Sequence, residues 1–316
     1  MPLRFFLVLW VSVLFGSISA HAQSCNFSMT DINFGSINAS VGGAPSTSGT
    51  FTANCTGAPN STVTICPNIG DGTGGSTSGS PRLITNGPRS LPFNLFQTSG
   101  PIWGSYVWPY APRPPILSLT LNGAGSGTLT QTINAQMTGI LALAPAGLYQ
   151  SVYASQHTLI DYGYSPTQTC TVVSVRAARA PFTVSALNNN SCNISTTPMS
   201  FGTRTSLSTA QTASNQISVT CTSGVRYSLG LSNGSNGGTS PTNRFMANAA
   251  SSQKISYGIY QNSNLTQQWG TTSGADVVSG TATGLTQVYN AYGQIPIQST
   301  PLGGSYADTV VITLTY

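Results

Sequence analysis

The sequence predicts an all-β protein of two immunoglobulin-like β-sandwich domains, of which the C-terminal one lacks its last strand. Three observations lead to this prediction. The composition disfavours helices, because 34 glycines and 19 prolines among 316 residues are poor helix formers. The chain contains an internal repeat, and the first copy of that repeat carries β-rich segments that the second copy does not. A length of 316 residues suits two domains of roughly 150 residues each.

The N-terminal segment predicts export. Arg4 precedes the apolar run Phe5–Phe15, and Ala20-His21-Ala22 is a small-x-small cleavage motif. The run is too short for a transmembrane helix, which needs about 20 residues. We therefore expect residues 1–22 to be a signal peptide, with cleavage before Gln23.

The charged residues argue against catalysis, metal binding and nucleic-acid binding. Only 5% of residues are charged, the acidic residues number five, all of them Asp, and there are two histidines. Paired carboxylates or a set of metal ligands are therefore hard to assemble. His157 and Asp161 lie close in sequence, but no Gly-x-Ser-x-Gly motif accompanies them. A net charge of +5 without a basic cluster does not suit a phosphate backbone. We expect no catalytic residue, cofactor or metal ion.

Four short motifs recur in the same order and define the repeat. They are Cys25-Asn26-Phe27 before Phe34-Gly35 against Cys192-Asn193-Ile194 before Phe201-Gly202, a second cysteine at Cys55 against Cys221, Phe93 to Gln97 before Trp103-Gly104 against Tyr257 to Gln261 before Trp269-Gly270, and Pro145 to Tyr149 against Pro301 to Tyr306. An ordered set of this kind indicates duplicated domains. We place domain one at 23–188 and domain two at 191–316.

Six cysteines in an exported chain predict three disulfides. The repeat assigns Cys25 to Cys55 and Cys192 to Cys221, since each pair joins the start of one strand to a strand about thirty residues later. Cys66 and Cys170 remain and should pair within domain one. Six cysteines permit 15 connectivities, so the assignment depends on the repeat.

The two copies end differently. Domain one continues into the β-rich segments Cys170–Val175 and Phe182–Ala186, whereas domain two ends after the alternating residues Val310, Ile312, Leu314 and Tyr316. If the added segments supply the last strand of domain one, domain two has an open edge with unpaired backbone groups. We expect the groove beside those four residues to accept a strand from another polypeptide. The alternative is that domain two closes with its own short strands.

These motifs, together with Tyr292 to Pro296 and the terminal Tyr306 to Tyr316 stretch, resemble the spore coat protein U domain family. The resemblance is stronger for 192–316 than for 25–187, where Ser151 replaces the Asp of the terminal motif. It implies a subunit of an archaic, Csu-type chaperone–usher pilus. Its partners would be a periplasmic chaperone, an outer-membrane usher and an adjacent pilin subunit, and it would be exported through the periplasm to the cell surface.

The resemblance also suggests which subunit this is. Shaft pilins of the family carry a donor segment before their first cysteine, whereas only Gln23 and Ser24 lie between the expected cleavage site and Cys25. A strand needs about five residues. We therefore expect a tip adhesin that promotes attachment to hydrophobic or host surfaces and biofilm formation. The alternatives are a structural pilus or coat subunit without adhesive activity, and a carbohydrate-binding lectin.

The resemblance implies that attachment occurs through hydrophobic contact by loops at the far end of the N-terminal domain. The candidate side chains lie in two apolar loops, 37–43 and 140–147, and in an aromatic segment, 91–115; they are Ile37, Val41, Ile140, Leu141, Leu143, Tyr106, Trp108 and Tyr110. Apolar area buried on binding contributes about 25 cal/mol per Å². In the alternative interpretation, Leu141 and Leu143 face the core of a strand.

Overall fold

We describe a computed structural model over residues 22–38, 43–77, 80–108, 111–139, 141–164, 170 and 177–316. The predicted signal peptide lies outside these residues, apart from Ala22. The described residues of domain one form twelve strands and one short 3₁₀ helix, Ser155–Thr158. The strands are β1 Ser24–Met29, β2 Ile32–Ile37, β3 Ser46–Thr56, β4 Thr62–Pro67, β5 Arg82–Asn86, β6 Arg89–Phe96, β7 Leu117–Thr120, β8 Ser126–Met137, β9 Gly147–Tyr153, β10 Leu159–Gly163, β11 Ala177–Arg179 and β12 Phe182–Asn188.

Domain one is a sandwich of an eight-stranded and a four-stranded sheet. The strand orders are β1-β3-β8-β6-β5-β9-β12-β2 and β11-β10-β4-β7. Strand β12 lies between β9, to which it is antiparallel, and β2, to which it is parallel. The Phe182–Ala186 segment predicted as β-structure therefore lies inside the large sheet. Of the other predicted segment, 170–175, the structure describes only Cys170.

Domain two repeats this plan with fewer strands. They are β13 Cys192–Thr196, β14 Gln211–Cys221, β15 Arg226–Leu231, β16 Arg244–Asn248, β17 Lys254–Tyr260, β18 Val278–Thr281, β19 Gln287–Ile295, β20 Tyr306–Ala307 and β21 Ile312–Thr315. The sheets have the orders β13-β14-β19-β17-β16-β20 and β18-β15-β21. The all-β, two-sandwich fold is as predicted.

Alternating side chains build a separate core in each domain, as expected when each strand has one face inward. In β12 the side chains of Phe182, Val184 and Ala186 are buried, and in β15 those of Tyr227 and Leu229 are. The three predicted disulfides, Cys25–Cys55, Cys66–Cys170 and Cys192–Cys221, are all present. The first and third each join the first strand of a domain to its neighbour, because those cysteines face each other in the strand register.

A buried arginine occupies the same place in both domains. Arg82 begins β5 and Arg244 begins β16, and both are fully buried. The Arg82 guanidinium donates hydrogen bonds to the carbonyls of Gly70, Ile69 and Trp103, at 2.8, 2.7 and 2.6 Å. The corresponding bonds of Arg244 go to Ser232, Leu231 and Trp269, at 2.7, 3.1 and 2.7 Å. Each arginine thus fixes a tryptophan-containing loop to the sheet that it borders.

The two domains touch through a loop of domain one. Pro145, in the loop between β8 and β9, pairs with Ser223 of domain two in a parallel bridge. A Cβ atom on Gly284 would lie 2.0 Å from the carbonyl oxygen of Ala142, so the two backbones are in close contact there. The Ser191 hydroxyl also donates a hydrogen bond of 2.5 Å to Asn38. Contacts from the β8–β9 loop and from Asn38 therefore both hold domain two against domain one.

Over the described residues, no helix is long and apolar enough to cross a membrane.

A strand-accepting groove and the candidate contact residues

The large sheet of domain two has a gap at the position that β12 fills in domain one. Strand β20 corresponds to β9, and the segment around Phe201 corresponds to β2, which carries Phe34. In domain one, β12 pairs with both of these neighbours. Among the residues of domain two that the structure describes, no strand lies between them, and the sheet ends at β20.

A cavity of about 470 Å³ occupies this gap. Its lining comes from the segment after β13, from β20 and the residues that follow it, and from inward-facing side chains of the central strands. The apolar residues of the lining are Pro198, Met199, Phe201, Ile217, Leu231, Met246, Tyr257, Ile259, Ala291, Tyr306, Ala307, Val310 and Ile312. An extended peptide with alternating apolar side chains fits such a groove, because the sheet offers backbone partners and the cavity accepts side chains.

The two copies of the repeat show what β12 covers. Tyr149 and Tyr153 of β9, with Ile32 of β2, have no solvent exposure. Their counterparts in domain two, Tyr306, Val310 and Met199, are only half-buried. In domain one, Phe182 of β12 stacks on Tyr153 with ring centroids 4.5 Å apart. The same coverage is missing in domain two, so core side chains there remain accessible.

A carboxylate lies at the polar margin of the groove. Asp308 Oδ1 accepts hydrogen bonds from Ser235, Asn236 and the backbone N–H of Thr309, all at 2.9 to 3.0 Å. Asp308 Oδ2 accepts a 2.7 Å bond from the Tyr257 hydroxyl. Burial, and next the bond to Asp308, raise the pKa of Tyr257 above its ordinary value. With these donors the carboxylate is fully hydrogen-bonded, and it can border an apolar groove without an ion-pair partner.

Two of the four predicted groove residues line this cavity. Val310 and Ile312 do so, whereas Leu314 packs against the core and Tyr316 is 58% exposed on another part of the surface. The prediction therefore placed the groove too far toward the C-terminus. The sequence reasoning did not assign Met199, Phe201 or Tyr306 to it. The repeat aligns them with Ile32, Phe34 and Tyr149, but only the structure shows that those residues lie on the two strands that flank β12.

The described candidate residues of the two apolar loops lie either in the core of domain one, as Ile37 and Leu141 do, or close to domain two, as Leu143 does. Ile37 is the last residue of β2 and is 5% exposed, and Leu141 is 6% exposed. Leu143 is 53% exposed, but its Cα lies 3.2 Å from the Cβ position of Gly284. The described part of the second loop, 141–147, therefore lies at the end of domain one that touches domain two and not at the far end. The two loops follow β2 and β8, which run toward the linker. The sequence pattern alone does not show in which direction a strand runs. Val41 and Ile140 lie outside the described residues.

The aromatic segment packs largely inward. Trp108 is 3% exposed, its indole N–H donates to Asp71 Oδ1, and the Arg82 guanidinium lies 4.6 Å from its ring centroid. Tyr106 is half-buried, and burial raises the pKa of its hydroxyl. Tyr110 lies outside the described residues. The neighbouring apolar residues Val107 and Ile116 are 38% and 59% exposed, and the sequence reasoning singled out neither.

The described residues contain no group of three or more His, Cys, Asp or Glu side chains that could hold a metal ion. His157 Nδ1 accepts a hydrogen bond of 3.2 Å from the Asp71 backbone N–H. This ring nitrogen therefore acts as an acceptor within the loop structure of domain one.

Comparison with a solved structure at a TM-score of 0.55 supports the fold. The chain is similar to a CsuC–CsuE chaperone–tip adhesion subunit pre-assembly complex from Acinetobacter baumannii, with a TM-score of 0.55 and 15% identity over 93% of this chain and 100% of that one. The CupB6 tip adhesin of Pseudomonas aeruginosa matches with a TM-score of 0.42 and 10% identity over 93% of this chain and 94% of that one. No curated protein sequence matches the chain.

A comparison with family models identifies the repeat. The model described as Spore Coat Protein U domain matches residues 12–154 and again residues 178–313. The two matches correspond to the two halves of the internal repeat and cover most of the chain. The chain therefore belongs to the spore coat protein U domain family and carries two copies of its domain.

Proposed function

We propose that this chain is the tip adhesin subunit of an archaic chaperone–usher pilus. After export to the periplasm, domain two accepts a donor strand from a periplasmic chaperone. At the outer-membrane usher, a donor strand from the adjacent pilin subunit replaces it. The observation that carries the proposal is the empty slot in domain two, at the position that β12 occupies in domain one. Strand addition is favourable because it pairs the backbone groups of the open sheet edge and covers the half-buried core side chains.

Structural similarity supports this role. The solved structure with a TM-score of 0.55 contains a tip adhesion subunit of Csu pili bound to its chaperone. The likeness spans all of that chain and 93% of this one, so both domains contribute to it. A two-domain plan with one completed and one open sandwich suits a subunit that ends a polymer.

Domain one provides the attachment in this proposal and thereby promotes biofilm formation. Val107 and Ile116 are exposed apolar residues of domain one, and exposed apolar side chains suit contact with hydrophobic or host surfaces. The alternatives remain a structural subunit without adhesive activity, and a lectin. Binding to hydrophobic beads but not to a glycan array would favour the adhesin over the lectin, and tip-only immunogold labelling would favour it over a structural subunit.

The strand-accepting role can be tested with a surrogate donor. A synthetic peptide with the sequence of Ala180–Asn188 should bind the full chain and raise the melting temperature of domain two. A ligand present at 100 times its dissociation constant stabilises the folded state by about 2.7 kcal/mol. A scrambled peptide of the same composition serves as the peptide control.

Two substitutions locate the effect. Met199→Asp places a charge in the groove and should abolish the response, whereas Val288→Asp changes a residue that is 51% exposed on β19 and should preserve it. Equal responses of both variants, or no response of the unmodified chain to the peptide, would contradict the strand-accepting role.

A further inference from the structure

We infer that the lower end of domain two, the end remote from domain one, is a docking surface for an immunoglobulin-like domain of the next subunit. The junction between the two domains of this chain is the template for that contact. The inference rests on the proposed function, because the next subunit is the one whose strand fills the groove. It adds a second contact, outside the groove, which strand addition alone does not require.

The junction within the chain shows how one domain is seated on another. Strand β12 runs down to Asn188, and a linker of three residues leads to Cys192 of domain two. The loop between β8 and β9 then rests on domain two, where Pro145 bridges to Ser223 and the Ala142 carbonyl approaches Gly284. Asn188 Nδ2 holds the loop by donating 3.0 Å hydrogen bonds to the carbonyls of Ala144 and Pro145.

Domain two has the corresponding loop, between β19 and β20, at its lower end. A glycine near the start of the following strand shows the correspondence: Gly147 begins β9, and Gly304 precedes β20. A Cβ on Gly147 would lie 2.1 Å from Asn86 Nδ2, and a Cβ on Gly304 would lie 2.4 Å from Asn248 Nδ2. Both asparagines end equivalent strands, β5 and β16. The loop that precedes Gly304 therefore occupies the place of the loop that rests on domain two in the first copy.

This loop exposes large apolar side chains although its backbone is held in place. Ile297 is 70% exposed and Leu302 is 64% exposed, which are the two highest values among the large apolar residues described. The Leu302 N–H donates a 2.6 Å hydrogen bond to Gln253 Oε1, and the Gln298 N–H donates a 3.2 Å bond to the Leu207 carbonyl. A fixed loop with uncovered apolar side chains is typical of a surface that another molecule covers.

The direction of the inserted strand indicates which molecule covers it. A donor strand that copies β12 would lie antiparallel to β20 and would leave the slot at the lower end of domain two. Its own domain would follow there, as domain two follows Asn188 in this chain. The upper loops of that domain, which correspond to the loops of domain two that carry Ser223 and Gly284, would then meet Ile297 and Leu302. Within this chain, the Ala142 carbonyl leaves no room for a Cβ at Gly284. The next subunit should therefore carry a small residue, preferably glycine, at its own position equivalent to Gly284.

Site-specific photo-cross-linking in assembled pili tests this contact. The full chain would be produced in the strain that assembles the pilus, with benzoylphenylalanine in place of Leu302, Val310 or Val288 in separate variants. Val310 probes the groove, Leu302 probes the lower end, and Val288 is an exposed control on the outer face of β19. Adducts would be digested and their peptides identified by mass spectrometry.

We expect the Val310 variant to link to the donor strand of the next subunit. The Leu302 variant should link to the upper loops of the domain that follows this strand, at a yield at least about tenfold above the Val288 variant. A donor-strand adduct from Val310 with only background linkage from Leu302, or Leu302 adducts elsewhere on the partner, would overturn the inference and leave the proposed function intact. Absence of a Val310 adduct as well would contradict the proposed function itself.

Discussion

At the scale of single residues, the two buried arginines carry much of the architecture. Arg82 donates hydrogen bonds to three backbone carbonyls and Arg244 to four, and in each case one of them belongs to the tryptophan of the adjoining loop. An arginine interacts with several acceptors at once because its guanidinium is planar and carries five N–H donors. The sequence reasoning missed both residues, since an arginine among polar residues ordinarily indicates a solvated surface. Their repetition at the starts of β5 and β16 was the available signal.

Replacing Arg244 with lysine should destabilise domain two by about 2 to 4 kcal/mol, because an ammonium group cannot reach all of the carbonyls and leaves buried acceptors without donors. Denaturant unfolding of the full chain measures this loss. Arg226→Lys is the matched control, since Arg226 is exposed. Similar midpoints for the two variants would mean that the carbonyl contacts contribute little.

Tyr257 should make domain two sensitive to alkaline pH. Burial and the bond to Asp308 raise its pKa above the ordinary 10.0, so the folded chain holds the phenolic proton more tightly than the unfolded chain does. This stabilisation is complete below pH 10.0 and is lost as the pH rises above that value. The melting temperature of domain two should therefore fall from about pH 10 upward. In the Tyr257→Phe variant this decline should be shallower, and a curve parallel to that of the unmodified chain would refute the assignment.

At the scale of elements, one strand accounts for the difference between the two domains. The sequence predicted the all-β class, the repeat, the disulfides and Phe182–Ala186 as an added strand, because alternation and motif order are local properties. It did not predict that β12 lies between β9 and β2, since parallel pairing with a distant strand leaves no local pattern. For the same reason, the sequence prediction assigned Leu314 and Tyr316 to the groove, whereas the structure shows Met199 and Tyr306 there.

The exposed apolar side chains of Val107 and Ile116 provide a test of attachment. Val107→Ser and Ile116→Ser together should reduce retention of the pili on hydrophobic beads at least severalfold, because they remove exposed apolar area without touching the core. Pilus number and length should be unchanged in electron micrographs. Leu285→Ser, at a residue of domain two that is 58% exposed, is the control and should retain binding. Unaltered retention of the double variant would exclude this segment as the contact.

At the scale of the whole molecule, the described part of one loop predicted to meet a surface, residues 141–147, instead touches domain two. The sequence pattern identified this loop as apolar, but which end of a domain a loop occupies depends on strand directions that only the folded structure provides. Leu143 therefore lies at a braced junction rather than at an outer tip, whereas Leu141 packs in the core of domain one. A braced junction transmits an applied force from one domain to the other with little bending.

Gly284→Ala should loosen this junction. The new Cβ would collide with the Ala142 carbonyl, and the backbone φ of +86° adds strain for any residue other than glycine. We expect a broader range of domain orientations in small-angle X-ray scattering, and faster proteolysis between the domains. Gly274→Ala is the matched control, because its φ of +75° imposes similar strain while no atom lies within 4 Å of the added methyl. Identical scattering curves for the two variants would show that the contact does not restrict the domains.

The gap beside Tyr306 also has a thermodynamic consequence. A fold whose final strand arrives from another polypeptide has no single intrinsic melting temperature, because its stability rises with the logarithm of the free donor concentration. Inside a polymer that local concentration is very high, so the same domain that is vulnerable on its own becomes durable once it is incorporated.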